Sequence, residues 1–195
     1  GMNNKGSGSN PCKDDYRGAG PFSEPETLAM RNFIISFPKM RFAINFHAFG
    51  NLLVMPFNAD GKQNSHVKKF YKKAYEFYMK LKSDHILPNG NKLGNGAMTV
   101  NYEANGEASD WMLAERGIIA MSPELGINDK RSFQFFVKDP KIVERIVFEN
   151  LPWVDDVLGM FDANYSQKEI SKTQLVQRWV TSIRSTTPTT TSSSL

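Results

Sequence analysis

An α/β fold, a mixed twisted sheet between helices, is predicted by three features of this 195-residue chain. Two short apolar runs, residues 41–47 and 117–124, read as buried strands. Residues 65–82 carry Val67, Phe70, Tyr71, Ala74, Phe77, Tyr78 and Leu81 at helical spacing. Helix-start signals at Ser23 and Asp139 add helices on either side of the strands.

Residues 1–22 are rich in Gly, Asn, Ser and Pro and read as an extended loop. Ser23 then caps a helix, with Pro25 in the first turn and Glu26 completing a capping box. Leu28, Met30, Phe33, Ile34 and Phe37 give that helix an apolar stripe, and Pro38 ends it. The strand at 41–47 ends on His47. The apolar run 51–57 fits a short helical turn leading into another strand. In the helix at 65–82, Lys68, Lys69, Lys72, Lys73 and Lys80 form a solvated face. Residues 88–96 form a glycine-rich loop. A phosphate-binding loop needs a helix opening on Lys-Ser/Thr, whereas the segment from Met98 to Tyr102 looks strand-like.

A polar loop from Tyr102 to Trp111 enters a short helix. The stretch 117–126 follows, and its strand should stop at Pro123, which cannot donate to a sheet. Residues 127–138 are a mixed loop. Asp139 and Pro140 start a helix with Ile142, Val143, Ile146 and Val147 facing inward, and Pro152 kinks or interrupts it. A weaker helix covers 166–183, and the Ser/Thr-rich residues 184–195 form a disordered tail.

With 40% hydrophobic and 23% charged residues, the chain is globular rather than disordered. A net charge of +4 is too mild to imply nucleic acid, and the aromatics are not interleaved with the lysines as base stacking would require. The single cysteine, Cys12, cannot close an internal disulfide. No apolar run is long enough to span a bilayer. Asn164-Tyr165-Ser166 is a glycosylation sequon, relevant only to a secreted protein.

His47 and Glu124 at strand ends and Tyr102 on a loop are the candidates for chemistry, because sites in open α/β sheets lie beyond strand ends. Glu124, in Ser122-Pro123-Glu124-Leu125-Gly126, is either a strand-end acid that reaches water or a general base with a raised pKa. A lone histidine is more often structural than a ligand, and one histidine is not a zinc site.

Four blocks then resemble one family: Asn10-Pro11-Cys12 with Tyr16-Arg17-Gly18 and the run 21–27; Asn45-Phe46-His47; the loop 102–111; and 122–126. In order and spacing they are similar to the C-terminal part of the catalytic domain of zinc metallocarboxypeptidases, the carboxypeptidase A/B family M14. The resemblance implies a carboxypeptidase-like (phosphorylase/hydrolase-like) fold and hydrolysis of the C-terminal peptide bond of peptides or proteins. It implies one zinc ion in the complete domain, with His47 as its last histidine ligand. It implies Glu124 as the catalytic base, Tyr102 covering bound substrate, and Ala104, Ser109 and Ser122 around the side-chain pocket. Ser109 stands where an acid would favour Lys or Arg, so strong selectivity for basic residues is not expected. A secreted or lysosome-like compartment also follows from the resemblance.

The family's upstream His-x-x-Glu zinc motif and its Asn-Arg substrate clamp are not found in this sequence. The expectation is therefore that residues 1–183 are an incomplete half of a domain, inactive alone, whose partner is the N-terminal half of the same domain. Such a half-sheet would leave an edge and an apolar face uncovered. The competing reading is a non-catalytic, carboxypeptidase-like peptide-binding module without metal. A decayed site, however, has no physical reason to keep His47, Tyr102 and Glu124 together.

Overall fold

The computed structural model describes residues 6–59, 68–69, 71–83, 92–126 and 139–161. The elements are α1 (Pro25–Ser36), β1 (Phe42–Ile44), β2 (His47–Ala48), β3 (Leu52–Val54), α2 (Lys72–Ser83), β4 (Lys92–Gly94), α3 (Gly96–Thr99), α4 (Ala108–Arg116), β5 (Ile119–Leu125) and α5 (Pro140–Phe161). The sheet runs β1-β5-β3-β4, with β2 also paired to β5. It is mixed: β1 and β2 lie parallel to β5, β3 antiparallel to β5, and β4 parallel to β3. The α/β expectation holds, with β5 at its centre.

Side chains on a strand alternate between faces. Ala43 and Ala120 pack with Ile34 of α1 and Met112 of α4 on one face. Phe42, pointing the other way, meets Phe77 of α2 with ring centroids 5.6 Å apart. Helices therefore cover both faces. The predicted stripe of α2 is realised where it is described: Ala74, Phe77, Tyr78 and Leu81 are buried. Val67 and Phe70 lie outside the described residues.

Tyr78 has no exposed surface, and its hydroxyl donates to the Ala120 carbonyl at 2.7 Å. Burial pushes its phenol well up, so it is a neutral donor. Tyr78→Phe would leave a buried carbonyl unpaired and is expected to cost about 1–3 kcal/mol of stability. A shift in urea midpoint reads this out; a loss well under 1 kcal/mol would count against the bond.

Several expectations are corrected. Glu24 rather than Ser23 occupies the N-cap position of α1, and its side chain makes no capping hydrogen bond; the Ser23 hydroxyl donates to the Glu24 carboxylate at 2.8 Å. Only Ile34 of the α1 stripe is buried; Leu28, Met30, Phe33 and Phe37 are exposed. Residues 41–47 are not one buried strand: pairing breaks after Ile44 and resumes at His47, with Phe46 exposed between. Residues 52–54 form a strand directly, without a preceding helical turn, because Leu53 and Val54 fill the core beside β5.

β5 does not stop at Pro123. Its first part pairs with β1 and its last part with β2, so Pro123 falls where the neighbouring strand is interrupted and its missing donor is tolerated there. Met98 begins no strand: Gly96–Thr99 is a single helical turn capped by the Asn95 side chain, which accepts from Met98 N at 3.1 Å. No Lys-Ser/Thr follows, and the turn is too short to hold a phosphate.

In α5, Asp139 Oδ1 accepts from Lys141 N at 2.9 Å, as a cap should. Ile142, Ile146 and Val147 are half-buried, but Val143 is exposed. The helix continues through Pro152, a residue that costs about 3 kcal/mol in a helix interior. Next to it, Trp153 is fully buried, packs against Phe46 and donates to Asn150 Oδ1 at 2.7 Å, which offsets that cost. A boundary between two compact units falls inside α5, after Val154. Of the loop expected at 88–96, residues Lys92–Gly94 form strand β4 instead. Residues 88–91, the loop at 127–138, the helix at 166–183, the tail at 184–195 and the sequon lie outside the described residues.

Candidate active site

The candidate site forms at the C-terminal end of β5. β2 and β3 flank β5 here, and the chain between them folds around its last residues. Gly50 makes that passage possible. Its φ of +153° suits glycine, its amide bonds Gly126 O at 3.3 Å, and a Cβ there would meet Leu52 Cδ1 at 3.0 Å.

This arrangement puts His47 and Glu124 in register on adjacent parallel strands. The His47 Nδ1 atom lies 3.9 Å from Glu124 Oε1. The histidine side chain is 45% exposed and the glutamate 19%. Asn45 Nδ2 lies 2.8 Å from His47 Nε2. Burial pushes the Glu124 carboxyl up, and the adjacent imidazole pulls it partly back. A partly buried carboxylate with a raised pKa, open on one side, is suited to take up and release a proton.

Zinc is held by three or four nitrogen, sulfur or carboxylate ligands. Among the described residues no group of three or more His, Cys, Asp or Glu is placed to hold a metal ion. An exposed imidazole fits as one ligand of a site that other residues must complete.

Side chains two apart on a strand share a face, so Ser122 and Glu124 point the same way, one repeat of ~7 Å apart. Ser122 and Ser109 are both buried. They meet at a residue that sequence reasoning passed over, Glu107, the N-cap of α4. Its Oε2 accepts from the Ser109 amide at 2.8 Å and from the Ser109 hydroxyl, and its Oε1 accepts from the Ser122 hydroxyl at 3.4 Å. The signal available in the sequence was an acid directly ahead of a helix start.

A second missed feature is the pair Asn58 and Asp110, both buried. The Asp110 carboxylate accepts from the Asn58 amide at 2.8 Å, the Ala59 amide at 3.0 Å and Asn58 Nδ2 at 3.2 Å. Asn58 in turn binds Gly96 N through its side chain at 2.6 Å and Ala104 N through its carbonyl at 3.0 Å. The pair ties the end of β3, the turn α3, the loop bearing Tyr102 and Ala104, and α4 into one frame. Burial, then the neighbouring Glu107 charge, push Asp110 up to about 7, against the amide donors that favour its ionised form. Nothing in the spacing of the sequence marks a contact between residues 52 positions apart.

Tyr102 stands elsewhere, 61% exposed on the rim of an open cavity of about 570 Å³ that is also lined by Gly6, Ala97, Asn101 and Glu103. Ala104 is half-buried beside it. The structure thus joins His47 to Glu124 and Ser109 to Ser122, while Tyr102 and Ala104 lie on the adjoining loop.

A family model described as zinc carboxypeptidase matches residues 1–149. Carboxypeptidase A5 of Homo sapiens is 28% identical over 143 residues, covering 73% of this chain and 32% of that protein. Carboxypeptidase B of Helicoverpa zea is 27% identical over 161 residues, covering 80% of this chain and 36% of that protein. Among solved structures, thrombin activatable fibrinolysis inhibitor superposes with a TM-score of 0.60 at 22% identity, over 80% of this chain and 39% of its own. Carboxypeptidase A from Helicoverpa armigera gives a TM-score of 0.57 at 23% identity, over 82% of this chain and 40% of its own. The chain therefore aligns with about a third of the length of these curated relatives.

Proposed function

Because the chain belongs to the zinc carboxypeptidase family, we propose that it is the C-terminal part of a catalytic domain that hydrolyses the C-terminal peptide bond of peptides or proteins. The observation that carries this reading is the in-register pair of His47 and Glu124 at the end of β5. His47 would supply one zinc ligand. The upstream half of the same domain would supply the His-x-x-Glu ligands and the clamp for the substrate carboxylate. Zinc, when bound, would lower the pKa of a water molecule and polarise the scissile carbonyl.

In this reading Glu124 takes a proton from the attacking water and passes it to the leaving amine. Tyr102 closes over the substrate near its free C-terminus, and its exposure leaves it free to reach a ligand. Ala104, Ser109 and Ser122 bound the space for the terminal side chain. A secreted or lysosome-like setting belongs to the same reading and rests on family likeness. None of the helices among the described residues is long and apolar enough to cross a membrane.

The reading is tested by zinc binding and amino-acid release in the complete domain. One zinc per domain and release of single C-terminal residues are expected. His47→Ala is expected to weaken zinc binding by more than the ~10–100-fold that loss of an outer-shell partner costs. Zinc affinity unchanged in His47→Ala would remove His47 from the ligand set. A complete domain that binds peptides without cleaving them would favour the non-catalytic module instead.

A further inference from the structure

We infer that Gly6 and Asn58 are positioning residues for Tyr102: they clamp the backbone around it, so that the residue is held in place before substrate arrives. This rests on the reading above, in which Tyr102 closes over the substrate. The Tyr102 side chain is 61% exposed, so packing of the ring does not account for how closely its backbone is held. Three consecutive residues are gripped at the main chain. The Ala104 amide donates to the Asn58 carbonyl at 3.0 Å. The Tyr102 carbonyl oxygen lies so near Gly96 that a Cβ there would stand 2.7 Å from it. Between them, a Cβ at Gly6 would overlap the Glu103 carbonyl oxygen, so any side chain at position 6 must displace the loop.

Each grip is itself anchored. The Gly96 amide donates to Asn58 Oδ1 at 2.6 Å, and the Gly96 carbonyl accepts from the Asn101 amide at 2.8 Å. Asn58 is buried, and its own amide is held by Asp110 Oδ2 at 2.8 Å. Two residues on from Gly6, the Gly8 amide donates to the Asp15 carbonyl at 2.8 Å and the Gly8 carbonyl accepts from the Arg17 amide at 3.1 Å, which ties down the segment carrying Gly6. Asn101, immediately ahead of Tyr102, takes a φ of +71°, a left-handed turn that asparagine tolerates. Gly6 and Tyr102 line the same open cavity. The frame therefore fixes a residue whose side chain it does not bury. Holding the loop in advance removes an ordering cost from substrate binding.

The experiment measures KM and kcat for one peptide with the complete catalytic domain carrying Gly6→Ala, Tyr102→Ala, both together, or Gly117→Ala. Tyr102→Ala is expected to raise KM about tenfold or more, as loss of a hydrogen bond to a charged group does. Gly6→Ala is expected to raise KM by about fivefold or more with kcat largely kept, and to add nothing once Tyr102 is gone, because it acts through that residue. Gly117 has a φ of +63°, near the +74° of Gly6, but nothing lies within 4 Å of a Cβ there. Gly117→Ala thus carries the backbone strain without the contact and should leave KM within about twofold of wild type. A near-wild-type KM in Gly6→Ala, an equal rise in Gly117→Ala, or a rise that adds in full to that of Tyr102→Ala would overturn the inference and leave the carboxypeptidase reading intact. An unchanged KM in Tyr102→Ala would remove Tyr102 from the substrate site, and the inference with it. A domain that releases no C-terminal residue would overturn the reading as a whole. If Gly6→Ala fails to fold, amide hydrogen exchange in the wild type decides. The Ala104 amide is expected to exchange about 100-fold or more slowly than in an unstructured peptide, with no substrate present. Exchange at the unstructured rate until a peptide binds would overturn the inference.

Discussion

Glu124→Gln in the complete catalytic domain is expected to lower kcat by about 10²–10⁴, the range for loss of a positioned general base. Gln has the same shape, cannot take up a proton, and keeps an oxygen facing His47. Zinc content and KM should therefore stay near wild type while kcat falls, which separates a catalytic role from a structural one. Glu124 is held by its strand rather than by a loop. It pairs with His47 on one side and Leu52 on the other, so its backbone has little freedom. Steady-state kinetics on one peptide decide the matter. A kcat within a factor of ten of wild type would identify Glu124 as an ordinary strand-end acid.

The largest effect on stability is expected at Asp110. Asp110→Ala would leave the Asn58 amide, the Ala59 amide and Asn58 Nδ2 without their acceptor in a buried place. Removing one partner of a buried charged network costs about 3–5 kcal/mol. The loss should appear as a lower urea midpoint, with loosening of the loop that carries Tyr102 and Ala104. A change below 1 kcal/mol would mean that water replaces the carboxylate.

The same residue gives a pH signature. Burial raises the native pKa of Asp110 from 3.8 to about 7, so between these values the native state binds more protons than the unfolded one. Stability then falls as pH rises through this window. The contribution is fully present below about 4 and lost above about 7. Asp110→Asn should abolish this part of the slope, and a wild-type stability that rises with pH solely through Asp110 would contradict it.

Local patterns in the sequence determined the mixed α/β class, the amphipathic face of α2, the cap at Asp139 and the place of Glu124 near the end of a strand. These are short-range features: periodicity, breakers and capping side chains act within a few residues and leave their mark in order along the chain. Tertiary structure decided what such patterns do not encode. Pro123 stays within β5 because the neighbouring strand breaks beside it, and the helix runs through Pro152 beside the buried Trp153. The register of His47 against Glu124 depends on how the chain at Gly50 passes the end of β5. Glu107 joins two serines 13 positions apart, and Asp110 meets Asn58 across 52 positions. Hydrogen bonds between distant segments form only once the sheet has brought those segments together. The link that Glu107 makes between α4 and β5 therefore became visible only in three dimensions.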